Sequence, residues 1–213
     1  MTSLESALRA AAEAPTTDTA AMVPDLGPAA RAAGLLDVAY SVTDAPVGRL
    51  VLAATPAGLV ACSYADETTV AERLARGVSP RVLRTARPFD AVRRQLEEYF
   101  AGRRRSFDVP VDTVLAGAFG REVLRAAAAI PYGSTASYAA VAAAMGRPGA
   151  ARAVGNALGA NPVCVIVPCH RVVRRSGALG GYAGGLAAKE LLLSLEAGAS
   201  SIDQSALQPH LPR

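Results

Sequence analysis

The polar and apolar positions of this chain change period about halfway along. Near the start they alternate as strands do. Residues 37–43 form such a run, and 47–54, after the Asp44–Ala45–Pro46 turn, and 58–64, after Pro56, read as two further strands. Apolar residues then recur at helical spacing over 67–76 and 88–101, the latter with Leu96, Tyr99 and Phe100 on one stripe. Residues 106–111 are short and strand-like. From Val111 onward the helical period takes over. Phe119, Val123, Leu124 and Ala127 keep it, and Ile130–Pro131–Tyr132–Gly133 ends that helix. Ser137 is placed as N-cap of a second helix over 138–145. Gly146 to Gly149 make a turn, and a third helix runs over 150–158 to Gly159. Two helices joined by a short Gly-containing turn match a helix-turn-helix, although a structural helical hairpin has the same spacing. Beyond it, Val163, Cys164, Val165, Ile166 and Val167 form an apolar, β-branched run closed by Pro168, which predicts a buried strand.

These patterns predict an α+β N-terminal domain over 36–110, a small antiparallel sheet with helices. A mainly α C-terminal domain with a helix-turn-helix follows over 111–198. An Ala-rich arm, 1–35, precedes them, broken by Pro15, Pro24 and Pro28, with a short helix expected over 3–14. A tail, 199–213, follows. Composition fits a globular protein, with 51% hydrophobic and 19% charged residues. No apolar run approaches the roughly 20 residues that span a bilayer. The N-terminus lacks a basic start followed by an apolar core. The expectation is a cytoplasmic protein with no membrane partner.

Charge adds one clue. Residues 111–198 carry four acids against eight bases, a bias that suits an anionic partner. Lys189 is the only lysine among 22 basic residues, and alanine is abundant, which points to a GC-rich, bacterial genome. Cys62, Cys164 and Cys169 are an odd number without framework or zinc-ligand spacing. Neither a disulfide scaffold nor a metal site is expected, and Cys62 reads as core.

Two segments carry candidate chemistry. Cys169 ends the apolar run and His170 follows it directly; the one other histidine, His210, lies in the tail. A thiolate is the strong nucleophile, and a neighbouring imidazole makes it available near neutral pH. The third helix is unusual in another way. Ala151, Gly155 and Gly159 form a nearly bare stripe at i, i+4 and i+8. Gly155 costs about 0.8–1 kcal/mol of helix stability against alanine, so a close approach to that backbone is expected. Another helix would explain it. So would the minor groove, about 6 Å wide against roughly 10–12 Å for a helix with ordinary side chains. Arg152, at the start of this helix, can then take the place of an extruded nucleotide, as chemistry on a base requires.

Together these segments resemble the O6-alkylguanine-DNA alkyltransferases, the methylated-DNA–protein-cysteine methyltransferases. The matching residues are Ile130–Pro131–Tyr132–Gly133, Ser137–Tyr138, Ala150–Ala151–Arg152–Ala153–Val154–Gly155 and Asn161–Pro162. Then come Val167–Pro168–Cys169–His170–Arg171–Val172–Val173, Ser176–Gly177, Gly180–Gly181–Tyr182–Ala183–Gly184–Gly185, Lys189 and Glu196. The resemblance covers 111–198 specifically and 36–110 more weakly. It implies irreversible, single-turnover transfer of an alkyl group from O6 of guanine in duplex DNA to Cys169, with no cofactor and no metal. O4-alkylthymine is a further possible substrate. It also implies His170 as general base, Glu196 as the carboxylate that orients it, and Tyr138 as the proton or hydrogen-bond donor at guanine N3. Asn161 braces the turn before the cysteine. Tyr182, Ala183, Pro168 and Val172 form the substrate pocket. Arg152, Ala151, Gly155, Tyr138, Arg147 and Arg175 meet the minor groove of DNA, which a monomer reads. Leu124, Ala139 and Ala183 depart from residues common in the family.

Two other readings stand beside this one. A non-catalytic alkyl-lesion-binding protein would share the fold, but such proteins lack the cysteine. A Cys-His hydrolase needs a base from distant sequence, and only His210 is available.

Overall fold

The computed structural model describes residues 29–30, 33–86 and 88–198. The helix expected over 3–14, most of the arm and the tail with His210 lie outside these residues.

The first three strands form as expected: β1 (Val38–Ala45), β2 (Gly48–Thr55) and β3 (Gly58–Ser63), each antiparallel to the next. The helix α1 (Glu67–Gly77) follows, capped by Asp66, whose carboxylate accepts from Thr69 N at 2.9 Å. It returns the chain to a short β4 (Val82–Arg84) that lies parallel to β1, giving the order β3-β2-β1-β4. The expected antiparallel sheet is therefore mixed. A three-residue strand after a helical crossover leaves too little alternation to read.

Both faces of this sheet are covered. Val51, Ala53 and Val60 meet Val70 and Leu74 of α1. Leu50, Leu52 and Leu59 face the other way, toward α2 (Asp90–Phe100), whose Val92, Leu96 and Tyr99 are buried. That second core continues without a break into the helical half, through Val123, Leu124, Val154, Leu158 and Leu192. Helices α3 (Ala118–Ala128), α4 (Tyr138–Ala144), α5 (Ala151–Gly159) and α6 (Gly185–Glu196) make up that half. Ser137 caps α4 as expected, its hydroxyl accepting from Ala140 N at 3.1 Å. A two-stranded parallel pair, β5 (Ala136–Ser137) and β6 (Val172–Val173), ties the start of α4 to the segment after Cys169.

Two expected strands do not form. Residues 106–111 make a single bridge, Val111 to Leu59. The run 163–167 also makes one bridge, Val163 to Cys62, fixed by Cys62 N donating to Pro162 O and Cys164 N to Cys62 O. It then turns. Val165 stands at φ 69°, Ile166 N donates to Cys164 O, and Val167 N donates to Val163 O. A β-branched residue in the left-handed region is strained, by about 1–3 kcal/mol. The run is apolar because both halves of the molecule bury it, not because it lies in a sheet.

Candidate active site

The tight turn sets up the site. Pro168 leads into a single 3-10 turn, Cys169–Arg171, so three successive side chains leave the backbone in different directions. All three residues are buried.

Cys169 faces a cleft of about 810 Å³. Its walls are the bare stripe of α5 (Ala151, Gly155, Gly159) with Arg152, the Tyr138 ring, and the loop Gly180, Gly181, Tyr182 and Ala183. A Cβ added at Gly155 would meet Tyr138 at 3.7 Å, an ordinary contact, and one at Gly159 would meet nothing within 4 Å. Packing inside the protein therefore does not require this stripe to be bare. It borders the open cleft and is not covered by another helix. Gly180 is different. It stands at φ 70°, and a Cβ there would come within 2.8 Å of the Tyr138 hydroxyl.

Asn161 organises the floor. Its Oδ1 accepts from Val163 N at 2.9 Å, while its Nδ2 donates to Val167 O and to Cys169 Sγ, both at 3.1 Å. The Cys169 thiol lies below its usual value. A hydrogen bond from Cys164 favours the thiolate most, burial opposes it, and Asn161 and the Lys189 charge add to the lowering. Cys62, equally buried without such donors, is pushed up to about 12 by burial. Burial and the Cys169 charge also hold the Tyr138 hydroxyl above its ordinary value, so it remains a proton donor.

His170 and Arg171 point away from the cleft and meet Glu196, in the last turn of α6. His170 Nε2 donates to Glu196 Oε1 at 2.9 Å, which leaves Nδ1 as the lone-pair nitrogen, with no protein partner among the described residues. Arg171 holds both carboxylate oxygens, Nε on Oε2 at 2.8 Å and Nη2 on Oε1 at 2.9 Å. The Tyr99 hydroxyl donates to Oε1 at 2.7 Å and Gly133 N to Oε2 at 3.1 Å. Burial works against the Glu196 charge, but these donors outweigh it and hold the carboxyl at about 2. His170 is lowered, chiefly by burial, despite the carboxylate beside it.

This network also explains Ile130–Pro131–Tyr132–Gly133. Ile130 O accepts from Arg171 Nη1 at 2.6 Å, and the Tyr132 hydroxyl donates to Leu195 O at 3.3 Å. Gly133 stands at φ 74° with its Cα so close to α6 that a Cβ would lie 2.9 Å from Glu196 O.

The structure thus brings Cys169, Asn161, Tyr138, Tyr182, Ala183, Arg152, Ala151 and Gly155 together around one cleft, with His170 and Glu196 behind the cysteine. Other expected residues fall elsewhere. Pro168 lines a second cavity of about 500 Å³ on the opposite side of the turn, because the chain crosses between the two there. Val172 is fully buried under β5 pairing. Arg147 is held by Glu122 at 3.0 Å and lies over the Phe119 ring, while Arg175 is exposed. Arg174 lines the cleft instead. Four contributors had no role assigned from sequence: Tyr99, Arg171, Cys164 and Lys189, whose ammonium donates to Val172 O at 2.7 Å and also to Leu179 O. A lone lysine on the apolar side of a helix is the signal that points to Lys189, since a buried ammonium needs acceptors. Among the described residues no group of three or more His, Cys, Asp or Glu is placed to hold a metal ion. No described helix is long and apolar enough to cross a membrane.

Two family models match the chain. One, the 6-O-methylguanine DNA methyltransferase ribonuclease-like domain, covers 38–113. The other, the DNA binding domain of the same family, covers 118–198. The methylated-DNA–protein-cysteine methyltransferase of Mycolicibacterium paratuberculosis is 43% identical over 159 residues, 75% of this chain and 92% of the relative. That of Methanosarcina acetivorans is 40% identical over 160 residues, 74% of this chain and 97% of the relative. Mycobacterium tuberculosis OGT, solved in complex with DNA, superimposes with a TM-score of 0.69 at 37% identity, covering 80% of this chain and 99% of that one.

Proposed function

Because this chain belongs to the 6-O-methylguanine DNA methyltransferase family, we propose that Cys169 is the sulfur onto which it transfers the alkyl group of O6-alkylguanine. The activity is direct-reversal repair of DNA by a suicide transferase. The single observation that carries the assignment is Cys169 at the floor of the cleft, accepting a hydrogen bond from Asn161.

The chemistry follows from the groups around that sulfur. The Cys169 thiolate attacks the alkyl carbon, a carbon–sulfur bond forms, the carbon–O6 bond breaks, and its electron pair stays on guanine. Tyr138, kept protonated by its surroundings, supplies a proton or hydrogen bond at N3 of the leaving purine. His170 Nδ1 is the ring nitrogen free to take the thiol proton through a water. Glu196 fixes the tautomer that leaves it free, in the manner of a triad. The thioether formed has no easy leaving path, so each molecule acts once. Alanine and glycine at 151, 155 and 159 let α5 approach the minor groove of the duplex. Arg152 enters the stack behind the extruded nucleotide. Every group named comes from one chain, so a monomer suffices. Its setting is the bacterial cytoplasm, in keeping with its mycobacterial relatives.

The test is intact mass after mixing the protein with a duplex bearing O6-methylguanine. The expected result is a gain of one methylene, mapped to Cys169, with no further turnover. Cys169→Ala should bind the duplex and gain nothing. Methyl found on Cys164 or Cys62 instead would remove the assignment.

A further inference from the structure

The loop that walls the cleft is braced from the other half of the molecule. Tyr64, one residue beyond β3, places its hydroxyl 3.3 Å from that of Tyr182. The two rings meet edge to face, centroids 5.6 Å apart at 72°. The Tyr64 ring also lies on bare backbone: a Cβ built at Gly184 would stand 2.5 Å from it. Tyr182 in turn lines the cleft beside Cys169 and stands edge-on to the His170 imidazole, centroids 6.3 Å apart. Gly180 and Gly181, at the tip of this loop, restrict the backbone least, so side-chain packing must fix its position.

We propose that Tyr64 is a positioning residue that determines pocket width: by holding Tyr182 and seating against Gly184, it sets the space in which the extruded alkylguanine lies. This rests on the cleft being the alkyl-transfer site. The consequence is that the sheet half shapes the pocket through a side chain that touches neither DNA nor sulfur. A free base such as O6-benzylguanine is held by the pocket walls alone, whereas a lesion in duplex DNA is also held along α5. Loss of Tyr64 therefore falls more heavily on the free base.

Gly184 permits a clean test. It sits at φ −85°, ψ 7°, a conformation alanine adopts without strain. Gly184→Ala is therefore harmful only through its collision with the Tyr64 ring. The measurements are second-order alkylation rates with free O6-benzylguanine and with an O6-methylguanine duplex, affinity for undamaged duplex, and hydrogen exchange of the 178–184 segment. Tyr64→Ala should slow the free-base reaction about tenfold, in line with the cost of small misplacements. The duplex reaction should slow less, undamaged-duplex affinity should hold, and exchange in 178–184 should rise. Tyr64→Phe, which keeps the ring, should restore most of the rate. Gly184→Ala should slow the native protein but cost nothing further in the Tyr64→Ala background. Equal costs of Gly184→Ala in both backgrounds, or a Tyr64→Ala protein with unchanged rates, would overturn the proposal. A native protein that takes no alkyl group from either substrate would overturn the underlying reading instead.

Discussion

The two sides of the Cys169–Arg171 turn are built on opposite principles. Toward the cleft, Cys169 accepts from the neutral amide of Asn161, and the space beside it is open. Behind it, His170 and Arg171 meet a carboxylate that is saturated with donors and sealed from water. The open side lowers a thiol's pKa without neutralising it in an ion pair. The closed side spends its charge on orientation. The lesson is that reactivity and rigidity are separable here, although adjacent residues supply them.

The closed side should fail first, and hardest. Glu196→Gln leaves the buried Arg171 guanidinium without its countercharge, and breaking such a pair costs about 3–5 kcal/mol. Urea denaturation should show that loss, and the rate of transfer should fall with it because His170 loses its fixed tautomer. Stability unchanged by Glu196→Gln would erase the contrast. On the open side, Arg152→Ala should leave the stability within about 0.5 kcal/mol of native. Repair of O6-methylguanine in duplex DNA should nonetheless slow about tenfold, while reaction with free O6-benzylguanine holds. Equal losses on both substrates would refute extrusion by this arginine.

The effects of pH divide along the same line. His170 is depressed below 6.5 by burial, so the unfolded chain binds more protons and stability declines as pH falls through 6.5. Glu196 is depressed from 4.5 to about 2, so its contribution is complete above 4.5 and is lost between there and 2. Both act on the acid side. Cys169, lowered from 9.0, instead governs rate, which should rise with pH and level off below 9. Denaturation and alkylation followed across pH should therefore titrate separately.

What could be read from sequence follows the same physics. β1 and the helices α1 to α5 were legible because one face of each is apolar at a regular period, β2 and β3 because short apolar runs stand between turns, and Ser137 declared its cap; α6 was not read. The run 163–167 was misread because burial from two sides makes a turn as apolar as a strand, and only Val165 at φ 69° separates them. The grouping of Cys169, His170, Asn161 and Tyr138 was legible through motifs spread over little more than thirty residues. Tyr99 and Tyr64 were not. Each acts across the junction of the two halves, on a partner roughly a hundred residues away; Tyr99 sits on a helical stripe where an aromatic ring reads as core, and Tyr64 at the end of a strand-like run.

The hydroxyl of Tyr99 limits how this protein can be divided. It is carried by the sheet half, and it ends on the carboxylate in the last turn of α6. A fragment comprising the helical half alone would keep Cys169, the bare stripe of α5 and Arg152. It would lose a donor to Glu196 and the wall that shuts that carboxylate away from solvent. Such a cartridge could not be transplanted intact into another protein, since its most polar joint is completed by the piece left behind.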